Sequence, residues 1–302
     1  MINNVLKTLL AVNETKSITK AAEMLNFTQP AVSQHIKRLE DQYGVKIFVR
    51  SEKGLKITPE GEIIVQYATR ILNLYNAIPS SLKEYNDDKL QLTVGLSQTT
   101  SQSVMSEVLA KYCKEYPGAH IKIIFGSITE LYKKLKNYEV SLIVIDGSVD
   151  DPDCHSFLLD TDYLVCAVHN DNPLSKQDYI TLEQLKKENL ILKPNTSSTR
   201  EMFEKCLEQR GESLARFNVS LEVDSVATIK ELVKRNLGVA ILAKSVCFVE
   251  LQRNRFKAMQ IQNMSMPREV NMVYLDDFQP SSFLKKITQL YYSTKEEVMQ
   301  RR

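Results

Sequence analysis

The sequence has little of what metal, redox and catalytic chemistry usually requires. Its 302 residues include five cysteines and four histidines, with no Cys-x-x-Cys pair and no histidine spacing typical of a metal site. Glycine occurs only nine times, and no glycine-rich phosphate loop, nucleophile elbow or paired-carboxylate motif is present. We therefore expect no enzymatic activity, no cofactor and no metal site, and we expect the cysteines to be reduced core residues.

Long apolar runs and a dominant net charge are also missing. No stretch approaches the roughly 20 apolar residues of a membrane span, and no apolar run follows a basic N-terminal start. This predicts a cytoplasmic protein without a membrane partner. Lys and Arg total 39 against 37 Asp and Glu, but residues 1–60 hold nine basic and six acidic residues. A small positive excess at one end is what a nucleic-acid-binding module would show, although it is weak evidence.

One stretch, residues 28–43, combines a helical apolar stripe with a polar outer face. Four apolar residues recur at helical spacing and predict a buried face, namely Val32, Ile36, Leu39 and Tyr43. Thr28 can cap the helix, and Pro30 fits its first turn. The outer face consists of hydrogen-bonding side chains: Gln29, Ser33, Gln34, Lys37 and Arg38. On its own, such a face is as consistent with a solvated surface as with a binding surface.

The neighbouring segments favour the binding surface. Upstream, Ser17 can cap a short helix whose alanines allow another helix to approach closely, and a tight connection leads into Thr28. A short helix, a tight turn and a longer helix form the helix-turn-helix pattern, whose second helix enters the major groove of DNA. Downstream, two short strands around Arg50 and Lys53 predict a β-wing with a basic tip, suited to phosphates or the minor groove.

Residues 17–50 read SITKAAEMLNFTQPAVSQHIKRLEDQYGVKIFVR and are followed by LKITPEGE. This segment resembles the winged helix-turn-helix of the LysR-type transcriptional regulators. The match is nearly continuous from Ser17 to Glu62, and the rest of the chain has the layout of the family more loosely. The resemblance implies an α/β protein with three parts. These are a winged helix-turn-helix over 1–58, a linker and dimerisation helix with a hinge over 59–88, and a two-lobed, periplasmic-binding-protein-like effector domain over 89–302. Lobe I would comprise about 89–161 and 267–302, and lobe II about 162–266.

The resemblance also implies partners for this chain. We expect a sequence-specific bacterial transcription regulator that binds a double-stranded operator with two-fold related half-sites. It would form a homodimer or a homotetramer, bind a small-molecule effector, and contact RNA polymerase if it acts as an activator. The predicted DNA-contacting residues are Ser17, Thr28, Gln29, Pro30, Ser33, Gln34, Lys37, Arg38, Arg50 and Lys53. We expect His35, on the same helix, to lie near phosphate or solvent.

The linker is predicted to be one long helix opened by Thr58 and Pro59. A heptad stripe runs along it and predicts a dimer seam, the alternative being a helix that packs on its own domain. The seam residues are Ile64, Ala68, Ile71, Tyr75, Ile78 and Leu82. A second stripe can hold the wing and the first helix instead; it consists of Ile63, Tyr67 and Leu74. Pro79 predicts a kink, or an end of the helix near Ile78.

From Leu90 onward, strands alternate with helices, which predicts an α/β domain with a mainly parallel sheet. We expect residues 163–169 to cross into the second lobe and residues 270–275 to return to the first. Short polar residues follow several strands, where the N–H groups of helix ends favour anions and carboxylates. By resemblance, these turns line the interlobe cleft, and plain helix capping is the alternative for each residue. The predicted effector-binding residues are Ser97, Gln98, Thr99, Thr100, Ser101, Ser127, Asp146, Thr196, Ser197, Ser198, Thr199, Asp224 and Ser225.

Two further expectations concern this half of the chain. Arg200 could add a charge to the cleft or could lie in solvent. Peroxide-sensing members of the family carry a reactive cysteine in the loop before the helix that here holds Cys206. This chain has Ser and Thr there, so we expect no redox switch. A solute-binding protein or an enzyme could use the same two-lobed domain. The reading head and the lack of a signal peptide argue against the first, and the missing catalytic constellation argues against the second.

Overall fold

The computed structural model describes residues 2–52, 54–87, 90–101, 104–278 and 281–300, with the backbone alone for a few helical residues among them. The chain forms two compact units. The N-terminal unit comprises residues 1–89 with 136–139, and the C-terminal unit comprises 90–135 with 140–302. No helix in the described ranges is long and apolar enough to cross a lipid bilayer.

The N-terminal unit contains the predicted helix-turn-helix and wing. Its elements are α1 (Ile2–Thr15), α2 (Ile18–Leu25), α3 (Gln29–Tyr43), the antiparallel strands β1 (Phe48–Ser51) and β2 (Gly54–Ile57), and α4 (Pro59–Asp87). Ser17 and Thr28 cap α2 and α3 by accepting hydrogen bonds from the N–H groups of Lys20 and Ala31, each at 3.4 Å. Both predicted caps are therefore confirmed. Gly44 ends α3 in the left-handed conformation at φ 67°.

The apolar faces of α1 to α4 pack into one core. Val32, Ile36 and Leu39 of α3 are buried in it, as predicted. Tyr43 was expected on the same face, but its side chain is 54% exposed. The prediction is wrong for Tyr43 because α3 ends at this residue and Gly44 turns the chain away, so the last turn lies outside the packed face.

The first half of α4 is rotated relative to the prediction. Ala68, assigned to the dimer seam, is buried in the core of the N-terminal unit, and Ile64 packs against that core. The residues predicted to hold the wing and α1 are exposed instead: Ile63, Tyr67 and Leu74. Both assignments are therefore wrong for this half. A small alanine lets α1 approach α4 closely, which explains why the face with Ala68 turns inward.

The second half of α4 keeps its predicted apolar stripe exposed. The exposed fractions of Ile71, Tyr75, Ile78 and Leu82 are 47%, 56%, 51% and 57%. An end of the helix near Ile78 was one of the two outcomes predicted for Pro79. That outcome is wrong, since α4 continues through Pro79 to Asp87. Proline removes one intrahelical hydrogen bond there, and the remaining bonds of a 29-residue helix preserve it.

The C-terminal unit alternates strands and helices. Its strands are β3 (Gln91–Ser97), β4 (His120–Gly126), β5 (Leu142–Asp146), β6 (Cys154–His169), β7 (Tyr179–Ile180), β8 (Leu190–Leu192), β9 (Val219–Glu222), β10 (Val239–Ala243), β11 (Phe256–Ile261) and β12 (Pro267–Leu275). Its α-helices are α5 (Gln98–Ser101), α6 (Met105–Glu115), α7 (Ile128–Lys136), α8 (Leu182–Leu185), α9 (Ser198–Glu208), α10 (Val226–Lys234), α11 (Phe248–Gln252) and α12 (Ser281–Gln300). Short 3-10 helices occupy Pro173–Lys176, Leu214–Arg216 and Lys244–Cys247.

The strand order β4-β3-β5-β12-β6-β10-β8-β9 divides the unit into two lobes. Strands β4, β3 and β5 are parallel in lobe I, and β10, β8 and β9 are parallel in lobe II. The long strand β6 joins them, since its first part pairs with β12 and its last part with β10 and β11. The predicted crossing over 163–169 and the return over 270–275 are therefore confirmed, and each lobe has its own apolar core.

Candidate functional site

The polar face of α3 is exposed on the side opposite the core. The exposed residues of this reading face are Gln29, Pro30, Ser33, Gln34, Lys37 and Arg38. Thr28 is exposed and Ser17 is half-buried at the helix starts that they cap, and Arg50 is exposed on β1. Lys53 lies outside the described residues. Glutamine, serine and basic side chains on one accessible face supply the donors and acceptors that base edges and phosphates need.

The sequence suggested that His35 lies near phosphate or solvent. In the structure its imidazole instead makes contacts within the N-terminal unit. Its Nδ1 is 2.9 Å from the Thr8 hydroxyl, and that hydroxyl donates its own hydrogen to the Asn4 carbonyl at 2.8 Å. The Thr8 hydroxyl thus hydrogen-bonds both the His35 ring and the α1 backbone. The imidazole also contacts Phe27 edge-on, with ring centroids 5.8 Å apart. These contacts connect α3 to α1 and fix the rotation of the reading face.

The wing is held against α3 and against the turn after α1. The Glu40 carboxylate accepts hydrogen bonds from Lys46 Nζ at 2.7 Å and from the Ile47 N–H at 3.0 Å. Burial raises the pKa of this carboxyl, but its hydrogen bonds and the positive charge of Lys46 together outweigh burial, and the pKa lies below its usual value. Gly54 has φ 110°, and a side chain there would meet the Lys16 carbonyl at 3.0 Å. Glycine is thus required where the wing meets the turn after α1.

A cleft of about 480 Å³ lies between the lobes of the C-terminal unit. It is lined by Ser97, Thr99, Gly126, Ser127, Ile128, Thr129, Asp146, Lys193, Pro194, Thr196, Ser197, Ser198, Glu201 and Asp224. Eight predicted effector-binding residues are among them: Ser97, Thr99, Ser127, Asp146, Thr196, Ser197, Ser198 and Asp224. The topology therefore brings the polar ends of β3 and β5 opposite the start of α9.

Some predicted residues lie outside this lining. Thr100 is buried, and its hydroxyl is bonded to the Val144 carbonyl at 2.9 Å. Ser225 caps α10 by accepting from the Thr228 N–H at 3.3 Å, and Thr199 is buried. For these residues, helix capping and internal packing account for the polar atoms. The side chains of Gln98 and Ser101 are outside the described part of the structure.

Lys193 is a cleft residue that the sequence analysis missed. It directly follows β8, is 3% exposed, and places its ammonium 3.2 Å from Asp224 Oδ1. Asp224 itself is 65% exposed. A lysine at the carboxyl end of a buried strand, followed by Pro194, was a usable signal, because ligands bind at this edge of α/β sheets.

Arg200 fits neither of its two predicted positions. It is buried and is absent from the cleft lining. Its guanidinium donates to Glu204 at 2.6 Å, to Glu222 at 3.0 Å and to the Lys193 carbonyl at 3.2 Å. Arg200 therefore holds the backbone that carries Lys193.

The Asp146 carboxylate on the cleft wall accepts three hydrogen bonds. Its Oδ1 accepts from the Ser97 hydroxyl at 2.5 Å, and its Oδ2 accepts from the Ser198 hydroxyl and from Arg268 Nη1, the latter at 2.9 Å. Arg268 also reaches Asp162 Oδ2 at 3.4 Å. The side chains of Asp146 and Arg268 are only 2% and 3% exposed. No local sequence pattern indicates a role for Arg268 at the cleft.

The cysteines were predicted to be core residues, which is correct for Cys166 and Cys247 and wrong for Cys113, Cys154 and Cys206, which are half-buried. All five are free thiols. Burial raises the pKa of the Cys166 thiol and raises the pKa of Cys247 to about 12. Cys206 is half-buried against the core of lobe II. Within the described ranges, no cluster of His, Cys, Asp and Glu could hold a metal ion.

Two family models cover most of the chain. The model "LysR substrate binding domain" matches residues 86–291, and "Bacterial regulatory helix-turn-helix protein, lysR family" matches residues 4–62. The chain belongs to the LysR family. It is therefore a LysR-type DNA-binding transcription regulator with an effector-binding domain, and not an enzyme.

Individual relatives agree with this family assignment. The HTH-type transcriptional regulator CysL of Bacillus subtilis is 28% identical over 275 residues, which cover 91% of each protein. Full-length CbnR in complex with its target DNA has the same fold, with a TM-score of 0.69 at 18% identity, covering 97% of this chain and 100% of CbnR. The regulatory domain of Synechocystis PCC6803 CcmR in complex with 2-PG matches with a TM-score of 0.59 at 19% identity, covering 68% of this chain and 98% of that domain.

Proposed function

We propose that this LysR-type regulator binds a small anionic effector in the interlobe cleft and changes its affinity for an operator in response. The observation that carries this proposal is Lys193 on the cleft wall, whose side chain is only 3% exposed. A buried cation surrounded by hydroxyls is the environment in which a carboxylate or phosphate gains charge-assisted hydrogen bonds.

The cleft suits a small ligand in size and in chemistry. Its volume of about 480 Å³ falls within the usual range of roughly 300–1,000 Å³ for small-molecule pockets. Hydroxyls approach it from both lobes, from Thr99 and Ser127 on one side and from Thr196 and Ser197 on the other. An effector of a few heavy atoms could contact both lobes at once and favour the arrangement in which they are close.

An anionic effector can bind Lys193 at little electrostatic cost, because it can exchange with a carboxylate that is already paired there. The carboxylate now paired with Lys193 belongs to Asp224, which is 65% exposed. An effector carboxylate can replace it at the ammonium while Asp224 regains water, so no charge is left buried and unpaired. A neutral ligand that displaced Asp224 would leave the ammonium of Lys193 without a negative partner, so an anion is favoured.

For the DNA-binding half, we infer that Gln29, Ser33 and Gln34 contact base edges while Lys37 and Arg50 contact phosphates or the minor groove. Their common exposure on α3 and the wing supports this division of roles. Ser17 and Thr28 stand at two helix starts, where free N–H groups favour phosphate oxygens.

We propose a homodimer through α4, and its exposed apolar face supports this. The large exposed residues are Ile63, Tyr67, Ile71, Leu74, Tyr75, Ile78 and Leu82. At 3.6 residues per turn they fall within about 120° of the helix circumference, which is the width of a packed helix face. Pairing of two such faces would place two reading heads on one operator with two-fold related half-sites. In an activator, RNA polymerase would be a further partner.

A thermal-shift experiment on the full-length chain tests the effector proposal. The protein is heated with a panel of monocarboxylates, hydroxycarboxylates and small phosphorylated acids. A ligand at 100 times its Kd stabilises the folded state by about 2.7 kcal/mol. At least one compound should stabilise the wild type, and Lys193→Met should lose that shift. Lys286→Met is the matched control, because Lys286 pairs with Glu115 and neither residue lines the cleft. The proposal fails if no compound stabilises the wild type, or if Lys193→Met keeps the full shift.

A further inference from the structure

A carboxylate of the protein itself already bridges the two lobes across the cleft. Asp146 ends β5 in lobe I, and Ser198 is the first residue of α9 in lobe II. The Ser198 hydroxyl donates to Asp146 Oδ2, while the Ser97 hydroxyl from lobe I donates to Oδ1 at 2.5 Å. The two carboxylate oxygens thus hold donors from opposite sides of the cleft.

This carboxylate shares a buried guanidinium with a second carboxylate. Arg268 Nη1 lies 2.9 Å from Asp146 Oδ2, and both side chains are almost fully buried. Arg268 stands at the start of β12, where the strands cross between the lobes, and also reaches Asp162 in the crossing part of β6. A fixed cation, two hydroxyls and a cleft wall form the kind of site that binds a free carboxylate. Here the carboxylate is covalently part of the chain.

We propose that Asp146 is a built-in ligand of the interlobe cleft. It occupies the guanidinium of Arg268 and holds Ser198 of lobe II against lobe I, so the lobes stay together in the effector-free protein. The Asp146 carboxylate also reserves Arg268, which directs the anionic group of any effector toward Lys193 instead. Only this last consequence rests on the proposed effector function; the bridge between the lobes requires neither an effector nor DNA.

The experiment measures the distance between the lobes in full-length protein without any effector. Spin labels are attached through Lys133→Cys in lobe I and Glu208→Cys in lobe II, both exposed positions. The half-buried native cysteines are replaced by serine; they are Cys113, Cys154 and Cys206. Labelled chains are diluted into an excess of unlabelled chains, so that double electron–electron resonance reports the distance within one chain.

Two substitutions perturb the bridge at different points. Ser198→Ala removes the lobe II donor and leaves the buried Asp146–Arg268 pair intact, so this variant is expected to fold. Asp146→Ala removes the carboxylate and leaves space for a free acetate beside Arg268. Ser213→Ala is the matched control, since its hydroxyl accepts a local N–H in lobe II, from Ala215 at 3.3 Å.

Three results are expected together. Ser198→Ala and Asp146→Ala lengthen or broaden the distance distribution relative to the wild type, Ser213→Ala does not, and acetate restores the wild-type distribution in Asp146→Ala. Sodium chloride at equal ionic strength should not restore it. An unchanged distribution in Ser198→Ala overturns the proposal even if Asp146→Ala fails to fold. If the distance distribution of Asp146→Ala is lengthened and acetate leaves it unchanged, the proposal that Asp146 acts as a built-in ligand is overturned. An empty result in the effector panel would bear on Lys193 and not on this bridge.

Discussion

Replacement of Arg268 by methionine removes the cation from the buried network at the lobe crossing. Methionine retains most of the apolar stem, so the packing change is small. The carboxylates of Asp146 and Asp162 are 2% and 6% exposed, and each would lose its guanidinium partner. Removal of one partner of a buried ion pair typically lowers the free energy of unfolding by about 3–5 kcal/mol, because a charge is left uncompensated.

Differential scanning calorimetry of the full-length chain measures this loss. For a unit of this size, each kcal/mol shifts the Tm by about 2–4 °C, so Arg268→Met should lower the Tm of the C-terminal unit by about 6–20 °C. The control is Lys205→Met, whose ion pair with Glu201 is 67% and 61% exposed and should contribute no more than about 1 kcal/mol. Adding Asp146→Asn to Arg268→Met should recover part of the loss, since it removes one of the uncompensated charges. A Tm for Arg268→Met equal to that of the control would refute the reasoning.

Three further predictions concern the N-terminal unit. Gln34→Ala should relax base preference at one operator position by about 1–3 kcal/mol, measured by selection from randomised duplexes; an unchanged preference would reject the proposed reading face. Aspartate at both Ile71 and Ile78 should abolish the dimer in sedimentation experiments, because charges in an apolar seam have no partner; a persisting dimer would place the interface elsewhere. A double-mutant cycle over Thr8→Val and His35→Ala should give a coupling of about 0.5–1.5 kcal/mol in unfolding free energy, and zero coupling would remove this bond from the account.

The reading head was predictable because its signals are local. Ser17 and Thr28 cap helices that begin immediately after them, and the apolar spacing of α3 lies within one segment. The strands of the wing needed only a short apolar run on each side of a turn. The predicted burial of Tyr43 was wrong because the end of a helix depends on the following residue, Gly44. A periodic pattern does not show where the helix stops.

The rotation of α4 could not be predicted from its own sequence. Its two apolar stripes, represented by Ile63 and Ile64, are offset by one residue, or about 100° around the helix. Which stripe faces inward depends on how α1 packs against α4, and that contact joins distant parts of the chain. Pro79 was equally ambiguous, because a single lost hydrogen bond does not decide whether a long helix ends.

The cleft shows the same division between local and distant information. Hydroxyl-rich turns after strands predicted the lining through Ser97, Thr99 and Ser198, since ligands gather at that sheet edge. The pairing of Asp146 with Arg268 joins residues 122 positions apart, and no local pattern indicates it. Sequence spacing therefore located the cleft, whereas its charges required the tertiary structure.

The most direct test of the account measures operator affinity with and without a cleft ligand. A duplex selected from a randomised pool is titrated with full-length protein by fluorescence anisotropy, using the stabilising compound from the panel. Saturating compound should change the wild-type affinity by about 5–150-fold, the usual range of allosteric coupling, and Lys193→Met should bind the duplex equally well with no such change. Unchanged wild-type affinity at saturation, or an equal response in Lys193→Met, would contradict control of DNA binding through the cleft.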